Sequence, residues 1–251
     1  MAEREIEIPM QEGSSDSVFY CPEGDGKWPG VLFLTDIGGI RAANRESAAR
    51  LSKQGYAVLM PNVFYRTGRA PLQPSLRTLD AEAMKKRMAE LSTPLTPEAM
   101  ERDASTYIDF LASQNCTRQG VIGVVGHCFS GKMAMYAAAA RPDKIIAVAS
   151  FHGGGLYTDA PTSPHLVLPR IKARLYFGHA TNDRSMTEEA IAKLDQALER
   201  WGGKYESQTY KDAYHSWTAS DSPVYNQPQA ERAFQKLLEL FDQALRQPLA
   251  P

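Results

Sequence analysis

The chain has 251 residues, 43% of them hydrophobic and 23% charged, with a formal net charge of −1 at pH 7. That length suits one α/β domain spanning residues 1–251, with a core large enough to need neither disulfides nor metals. A charge so close to zero offers no electrostatic reason to expect nucleic acid or an anionic membrane as partner. Three cysteines, at 21, 116 and 128, form no metal-type cluster and cannot all pair, which fits a reducing cytosol. The first ten residues are charged and lack the apolar core of a signal peptide. No apolar run approaches the ~18 residues that span a membrane, so a soluble cytoplasmic protein is expected.

In chain order, Glu5 to Ile8 alternates charged and apolar residues and predicts an edge strand. Val18 to Tyr20 is its hairpin partner, with Gly13 and Ser14 near the turn. Glu23 to Gly30 reads as a loop, and Val31 to Leu34 as a buried strand ending in Thr35-Asp36-Ile37-Gly38-Gly39. Arg45 to Gln54 predicts a helix stopped by Gly55, and Tyr56 to Met60 a strand closed by Pro61. Residues 62–74 read as a surface loop near the strand ends. A helix follows over Leu76 to Leu91, and the 66–97 segment is placed to cover a site. Thr96-Pro97 opens a helix that runs to about Ser113.

Val121 to Val125 has the apolar continuity of a strand buried on both faces. Lys132 to Ala140, rich in Ala and Met, favours helix. Between them Gly126-His127-Cys128-Phe129-Ser130-Gly131 must reverse the chain sharply, and small residues at 126, 130 and 131 permit it. Cys128 then stands at the tip, the geometry of a nucleophile elbow with cysteine in place of serine. A strand–turn–helix carrying an ordinary buried cysteine is the plain alternative. Neither phosphate-loop spacing fits these glycines.

Beyond it, Ile145 to Phe151 predicts a strand, residues 159–170 a proline-rich loop, and Arg174 to Phe177 a strand ending near Asp183. Thr187 to Trp201 reads as a capped helix, Tyr205 to Tyr210 as a last strand and Pro228 to Leu245 as an amphipathic helix. Strand and helix alternate throughout, which argues an α/β fold with a mostly parallel sheet flanked by helices and no large lid domain. Ligands of such sheets sit beyond the carboxyl ends of the strands. The polar residues there include Asp36, Cys128, His152, Asp183 and His215. Any lone Asp among them could merely cap a turn. His152, in a glycine run, reads as structural, and the side chain of His127 should point away from Cys128.

Taken together, a nucleophile after a central strand, then an Asp, then a His is the chain order of an α/β hydrolase. Cys128, Asp183 and His215 fill it. His215 would take the thiol proton and return it to the leaving group, with Asp183 fixing its tautomer. The backbone N–H groups of Phe129 and Ile37 would form the oxyanion hole.

The residues 126–131, Asp183 within Gly178-His179-Ala180-Thr181-Asn182-Asp183, and Tyr214-His215-Ser216 resemble the dienelactone hydrolase family. So do Thr35-Asp36-Ile37-Gly38-Gly39 with the Asn44 to Ser47 stretch, and Gln54 to Val58. The similarity covers most of residues 18–245. It implies an α/β-hydrolase fold, a Cys-His-Asp triad cleaving an ester or lactone, and no cofactor or metal. Asp36 stands where the family usually has a Glu that contacts the resting thiol, and so is expected to tune Cys128. The family's carboxylate-holding arginines are missing, since the positions are Ala219 and, near residue 81, Ala81. Arg77, Tyr65 and Trp217 are then expected to shape the substrate pocket. Partners are a small-molecule ester or lactone and at most a second copy of the chain, as monomer or homodimer. The alternatives are the same triad acting on thioesters or carbon–carbon bonds, and a redox or ligand-binding protein that uses Cys128 without turnover. Against the last stands the lack of an evident resolving cysteine.

Overall fold

The computed structural model describes residues 1–246; the remainder of the expected 1–251 domain lies outside the described residues. One eight-stranded sheet runs through the molecule in the order β1-β2-β4-β3-β5-β6-β7-β8. Its strands are β1 (Ala2–Met10), β2 (Gly13–Cys21), β3 (Trp28–Leu34), β4 (Ala57–Pro61), β5 (Thr117–His127), β6 (Ile145–Phe151), β7 (Arg174–His179) and β8 (Tyr205–Thr209). The hairpin β1–β2 joins β4 antiparallel at one edge, and β4 through β8 run parallel to one another and to β3.

Helices cover both faces. On one lie α1 (Ala42–Lys53) and α6 (Gln227–Phe241), whose Ala48, Leu51, Leu237 and Phe241 pack against Val31, Phe33, Val125 and Phe151 of the sheet. On the other lie α3 (Pro97–Ser113), α4 (Ser130–Ala140) and α5 (Glu188–Trp201), closing over Leu32, Val124, Val148 and Phe177. The period-2 alternation of each strand distributes these residues between two separate cores. α2 (Ala81–Ser92) buries Leu91 and is otherwise largely exposed.

Several boundaries differ from expectation, each for a local reason. The helix expected from Leu76 begins as one 3₁₀ turn, Leu76–Thr78. It restarts at Ala81, because the Asp80 side chain accepts the Ala83 N–H as an N-cap. The 159–170 loop contains a 3₁₀ turn, Pro164–Arg170. Trp28 to Gly30 belongs to β3, since the Trp28 N–H reaches the Cys116 carbonyl at 2.8 Å. The C-terminal helix changes to a π-helical turn over Asp242–Arg246. Two of the three cysteines pair, which the sequence reading did not anticipate. Cys21 and Cys116 form a disulfide with Cα atoms 6.5 Å apart, and Cys128 alone is free. The end of β2 and the entry to β5 meet at the bottom of the sheet, a juxtaposition that spacing in the sequence does not reveal. No described helix is long and apolar enough to cross a membrane.

What positions the site is the passage from β5 to α4. Cys128 has φ 56°, a left-handed conformation unfavourable for a side chain with a Cβ. Its N–H is tied to the Phe151 carbonyl (3.0 Å), and its own carbonyl accepts from Gly131 (3.1 Å) and Gly154 (3.2 Å). The turn closes only because its neighbours are glycine. A Cβ at Gly126 would lie 2.3 Å from the Ser130 carbonyl oxygen, and one at Gly131 would lie 2.8 Å from the Gly153 Cα. Since the obstacle at 126 is backbone, it cannot rotate away. Gly126→Ala is expected to cost about 3 kcal/mol, read in urea as a lower midpoint with an unchanged slope. An unchanged midpoint would mean the turn tolerates a side chain there.

Candidate active site

Three strand ends and one following loop deliver the polar residues. β3 delivers Asp36 and Ile37, β5 delivers Cys128, the turn after β7 delivers Asp183, and the loop after β8 delivers His215. His215 is the bridge. Its Nε2 lies 3.0 Å from the Cys128 Sγ, and its Nδ1 lies 2.6 Å from the Asp183 Oδ2. The other Asp183 oxygen accepts from the Ser185 N–H (2.8 Å) and hydroxyl (2.7 Å). Ser185 was not singled out from sequence, although an Asx turn two residues after an Asp is a local pattern that could have flagged it.

Electrostatics follow from this geometry. Burial works against a charge on His215, but the hydrogen bonds to Asp183 and Cys128, and their negative charge, outweigh it and raise its pKa to about 10. Burial would raise the Asp183 pKa, yet the bonds from His215 and Ser185 hold it below the ordinary carboxylate value. His152, fully buried, is pushed well below the normal imidazole range by desolvation and by the neighbouring His215 and His127. It is therefore neutral. Its Nε2 pairs with the Thr218 hydroxyl at 2.7 Å, and its ring meets His215 edge-on at 5.2 Å. His152 is structural, as the glycine run suggested, but it supports the site directly. Lys132, one turn into α4, sets its ammonium 4.2 Å from the Phe129 ring centre. Burial lowers its pKa and the Cys128 sulfur opposes that shift.

The cleft above Cys128 has a volume of about 330 Å³, and Ile37, Arg77, His215, Ser216 and Val224 are among its walls. Arg77 thus reaches the site, ion-paired with Asp221 at 2.8 Å. Asp36 also lines the cleft, but its carboxylate is clamped by Arg41, with Oδ1 at 2.7 Å and Oδ2 at 2.9 Å. Oδ1 additionally accepts the Gly38 N–H (2.8 Å). Arg41 turns its remaining donors to Asp221 at 2.8 and 3.1 Å. A chain of alternating charge, Asp36–Arg41–Asp221–Arg77, therefore runs along one side of the cleft. Arg41 and Asp221 escaped the sequence reading because their partners are distant in the chain. The turn and loop hydrogen bonds of the described residues use neither the Ile37 nor the Phe129 N–H.

Two expected pocket residues are elsewhere. Tyr65 is not in the cleft; its hydroxyl points to Asp103 of α3 at 3.3 Å and its ring carries Arg66. Trp217 is fully buried below the site and forms no aromatic wall. It stacks on Tyr210 and meets His152 edge-on, both at 5.0 Å, because Ser216 at φ 78° turns the chain inward. His127 points to the opposite face of the sheet, against Phe33 and Phe151, as expected. Among the described residues no group of three or more His, Cys, Asp or Glu could hold a metal ion.

A mostly parallel sheet wrapped by helices, with a cysteine held at a strained turn after its central strand, defines an α/β hydrolase. Comparison with known proteins narrows the class. The dienelactone hydrolase family matches residues 16–245, and the chain belongs to that family. A carboxymethylenebutenolidase of Rhodococcus opacus is 28% identical over 242 residues, which is 95% of this chain and 87% of that protein. Two solved structures share the fold. A dienelactone-hydrolase-like promiscuous phosphotriesterase from metagenomic libraries superposes with a TM-score of 0.80 at 20% identity, covering 97% of this chain and 98% of that one. A dienelactone hydrolase of Anabaena variabilis does so at 0.69 and 21%, with the same coverage.

The imidazole's environment makes a direct prediction. By NMR, His215 should titrate far above an ordinary histidine, near pH 10, and Cys128→Ala should lower that pKa by removing one hydrogen bond and one charge. Linkage fixes the sign. A raised pKa stabilises the fold fully below about 6.5, the unfolded value, and the contribution fades as pH rises through about 10. For Asp183, with its lowered pKa, the contribution is present above about 3.9 and fades as pH falls through the folded value. An unshifted His215 in the wild type would contradict the bridge.

Proposed function

We propose that this protein hydrolyses a carboxylic ester or lactone through Cys128, His215 and Asp183, with a covalent acyl-enzyme intermediate. The observation that carries this reading is the double contact of His215, to sulfur on one side and carboxylate on the other. The thiolate, with its proton on His215, attacks the substrate carbonyl carbon. The carbonyl electron pair moves to oxygen, where the N–H groups of Phe129 and Ile37 receive it. Collapse re-forms the carbonyl and breaks the ester C–O bond. The alkoxide leaves with the proton from His215, and the acyl group remains on sulfur as a thioester. Water then gives a proton to His215 and attacks that thioester. The acid departs, and the thiolate–imidazolium pair is restored. Asp183 holds the Nδ1 proton in place throughout and balances the imidazolium charge. No cofactor or metal enters these steps.

Asp36 acts on Cys128 by its charge, with Arg41 setting how much of that charge reaches the sulfur. Asp36→Ala is expected to change the pH dependence of Cys128 alkylation; an unchanged profile removes Asp36 from the mechanism. Arg77 lies at the cleft and bears on substrate binding, and the 66–97 segment that carries it serves as a partial cover. The chain acts as one domain, as monomer or homodimer, on a small molecule. The cytoplasm is the setting we propose, and the Cys21–Cys116 disulfide is the observation that opposes it.

On a panel of lactones, aryl esters and acyl thioesters, activity should be highest on one of the first two classes. Cys128→Ala or His215→Ala should abolish it, and Asp183→Asn should lower kcat about 10⁴-fold. Rapid-quench mass spectrometry should find the acyl group on Cys128. Full activity in Cys128→Ala would overturn the proposal.

A further inference from the structure

A second cavity, of about 270 Å³, lies on the other face of the sheet from α4, between α1 and α6. It does not include Cys128 or His215, and Asp36 is the residue it shares with the cleft above Cys128. Phe33, Leu51, Phe151, Phe234 and Leu237 supply apolar walls, and His127, Thr218 and Asn44 are among the polar groups that face it. Its size exceeds the ~150 Å³ apolar cavity that holds a benzene ring, so a ring with a short substituent fits. Ala219 forms part of the wall. The methyl group at this position, four residues beyond His215, leaves the space open, and a long side chain there would occupy it.

The polar groups say which ring. His127 Nδ1 faces the Leu34 carbonyl at 3.3 Å. A carbonyl only accepts, so Nδ1 carries the hydrogen of the neutral ring and Nε2 is left as an acceptor. Burial keeps the ring neutral by lowering its pKa. The cations nearby are already engaged. Arg50 holds Glu231 through both terminal nitrogens and lies 3.8 Å over the Phe234 ring, while Arg41 is spent on Asp36 and Asp221. Glu46, also on the wall, meets the Ser220 hydroxyl at 3.4 Å and has no cation among its described contacts. A carboxylate ligand would therefore find repulsion without a partner, whereas a neutral aromatic molecule with a hydroxyl would bury its ring and donate to Nε2.

We propose that this cavity is a second ligand site, selective for a neutral phenol, distinct from the cleft above Cys128 although Asp36 walls both. The site adjoins the catalytic groups: the wall residue Thr218 is hydrogen-bonded to His152, whose ring abuts His215. Binding at this site does not depend on the hydrolase reading.

The experiment is calorimetric titration of 4-ethylphenol and of benzoate into full-length protein, once with Cys128 free and once with Cys128 alkylated by iodoacetamide, which caps the sulfur and narrows the catalytic cleft. Saturable binding of the phenol, with none of benzoate, is expected. Ala219→Leu, which places a larger side chain in the cavity, should abolish it. His127→Phe, which keeps the ring volume but removes the acceptor, should weaken it about tenfold. Because either variant could disturb folding, the wild type supplies its own readout: the His127 Nε2 resonance should shift on phenol addition. Absence of saturable binding, binding indifferent to Ala219→Leu, or an unmoved His127 resonance would each overturn the proposal. Phenol binding that disappears on alkylation of Cys128 would assign the ligand to the catalytic cleft and overturn it as well.

Discussion

One imidazole is held from two sides, and most of the molecule can be understood as the scaffold for that arrangement. His215 must meet a sulfur with one nitrogen and a carboxylate with the other, both at hydrogen-bonding distance. The three groups come from different strands, so the sheet must set their spacing. β5 and β7 are separated by β6 alone, which brings the Cys128 turn and the Asp183 turn to one rim. The loop after β8 then returns across that rim. It is kept in place by the Thr181 N–H to Ala213 carbonyl bond of 2.8 Å and by Trp217 buried beneath it.

Strain at Cys128 belongs to the same arrangement. A left-handed residue is unfavourable by itself, of order 1–3 kcal/mol, and is kept only where surrounding packing leaves no alternative. Here Gly126 and Gly131 let the backbone of α4 press onto the ends of β5 and β6, while Phe151 and Gly154 fix the turn by hydrogen bonds. His152, also left-handed at φ 41°, extends the effect. It is a buried ring wedged edge-on against the His215 imidazole and anchored by Thr218.

The rim also carries a line of alternating charge. Asp36, Arg41, Asp221 and Arg77 neutralise one another in sequence, so the cleft beside Cys128 offers few free charges to a substrate. Asp36 is one methylene shorter than Glu, and Arg41, five residues on, takes both of its oxygens. The two arginines at this rim, Arg41 and Arg77, are both paired with carboxylates. On the opposite face the small side chain of Ala219 leaves a cavity rather than a charge.

Much of this was legible beforehand. The apolar run at 121–125 and the small residues at 126, 130 and 131 determined a strand, a tight turn and a helix, since no other local structure satisfies their sterics and hydrophobicity. The order Cys128, Asp183, His215 and the placement of each after a strand were likewise readable, because alternation of strand and helix puts strand ends on a common rim. Only the tertiary structure decided which of the flanking residues face the cleft. Tyr65 and Trp217 were drawn away by Asp103, Tyr210 and His152, while Arg41 and Asp221 met across 180 residues. Cys21 and Cys116 paired across 95 residues in the same way. Local sequence specifies backbone conformation and the sense of burial. Which distant side chains become neighbours depends on the twist and register of the whole sheet, and a single chain read in order does not contain that information in any local window.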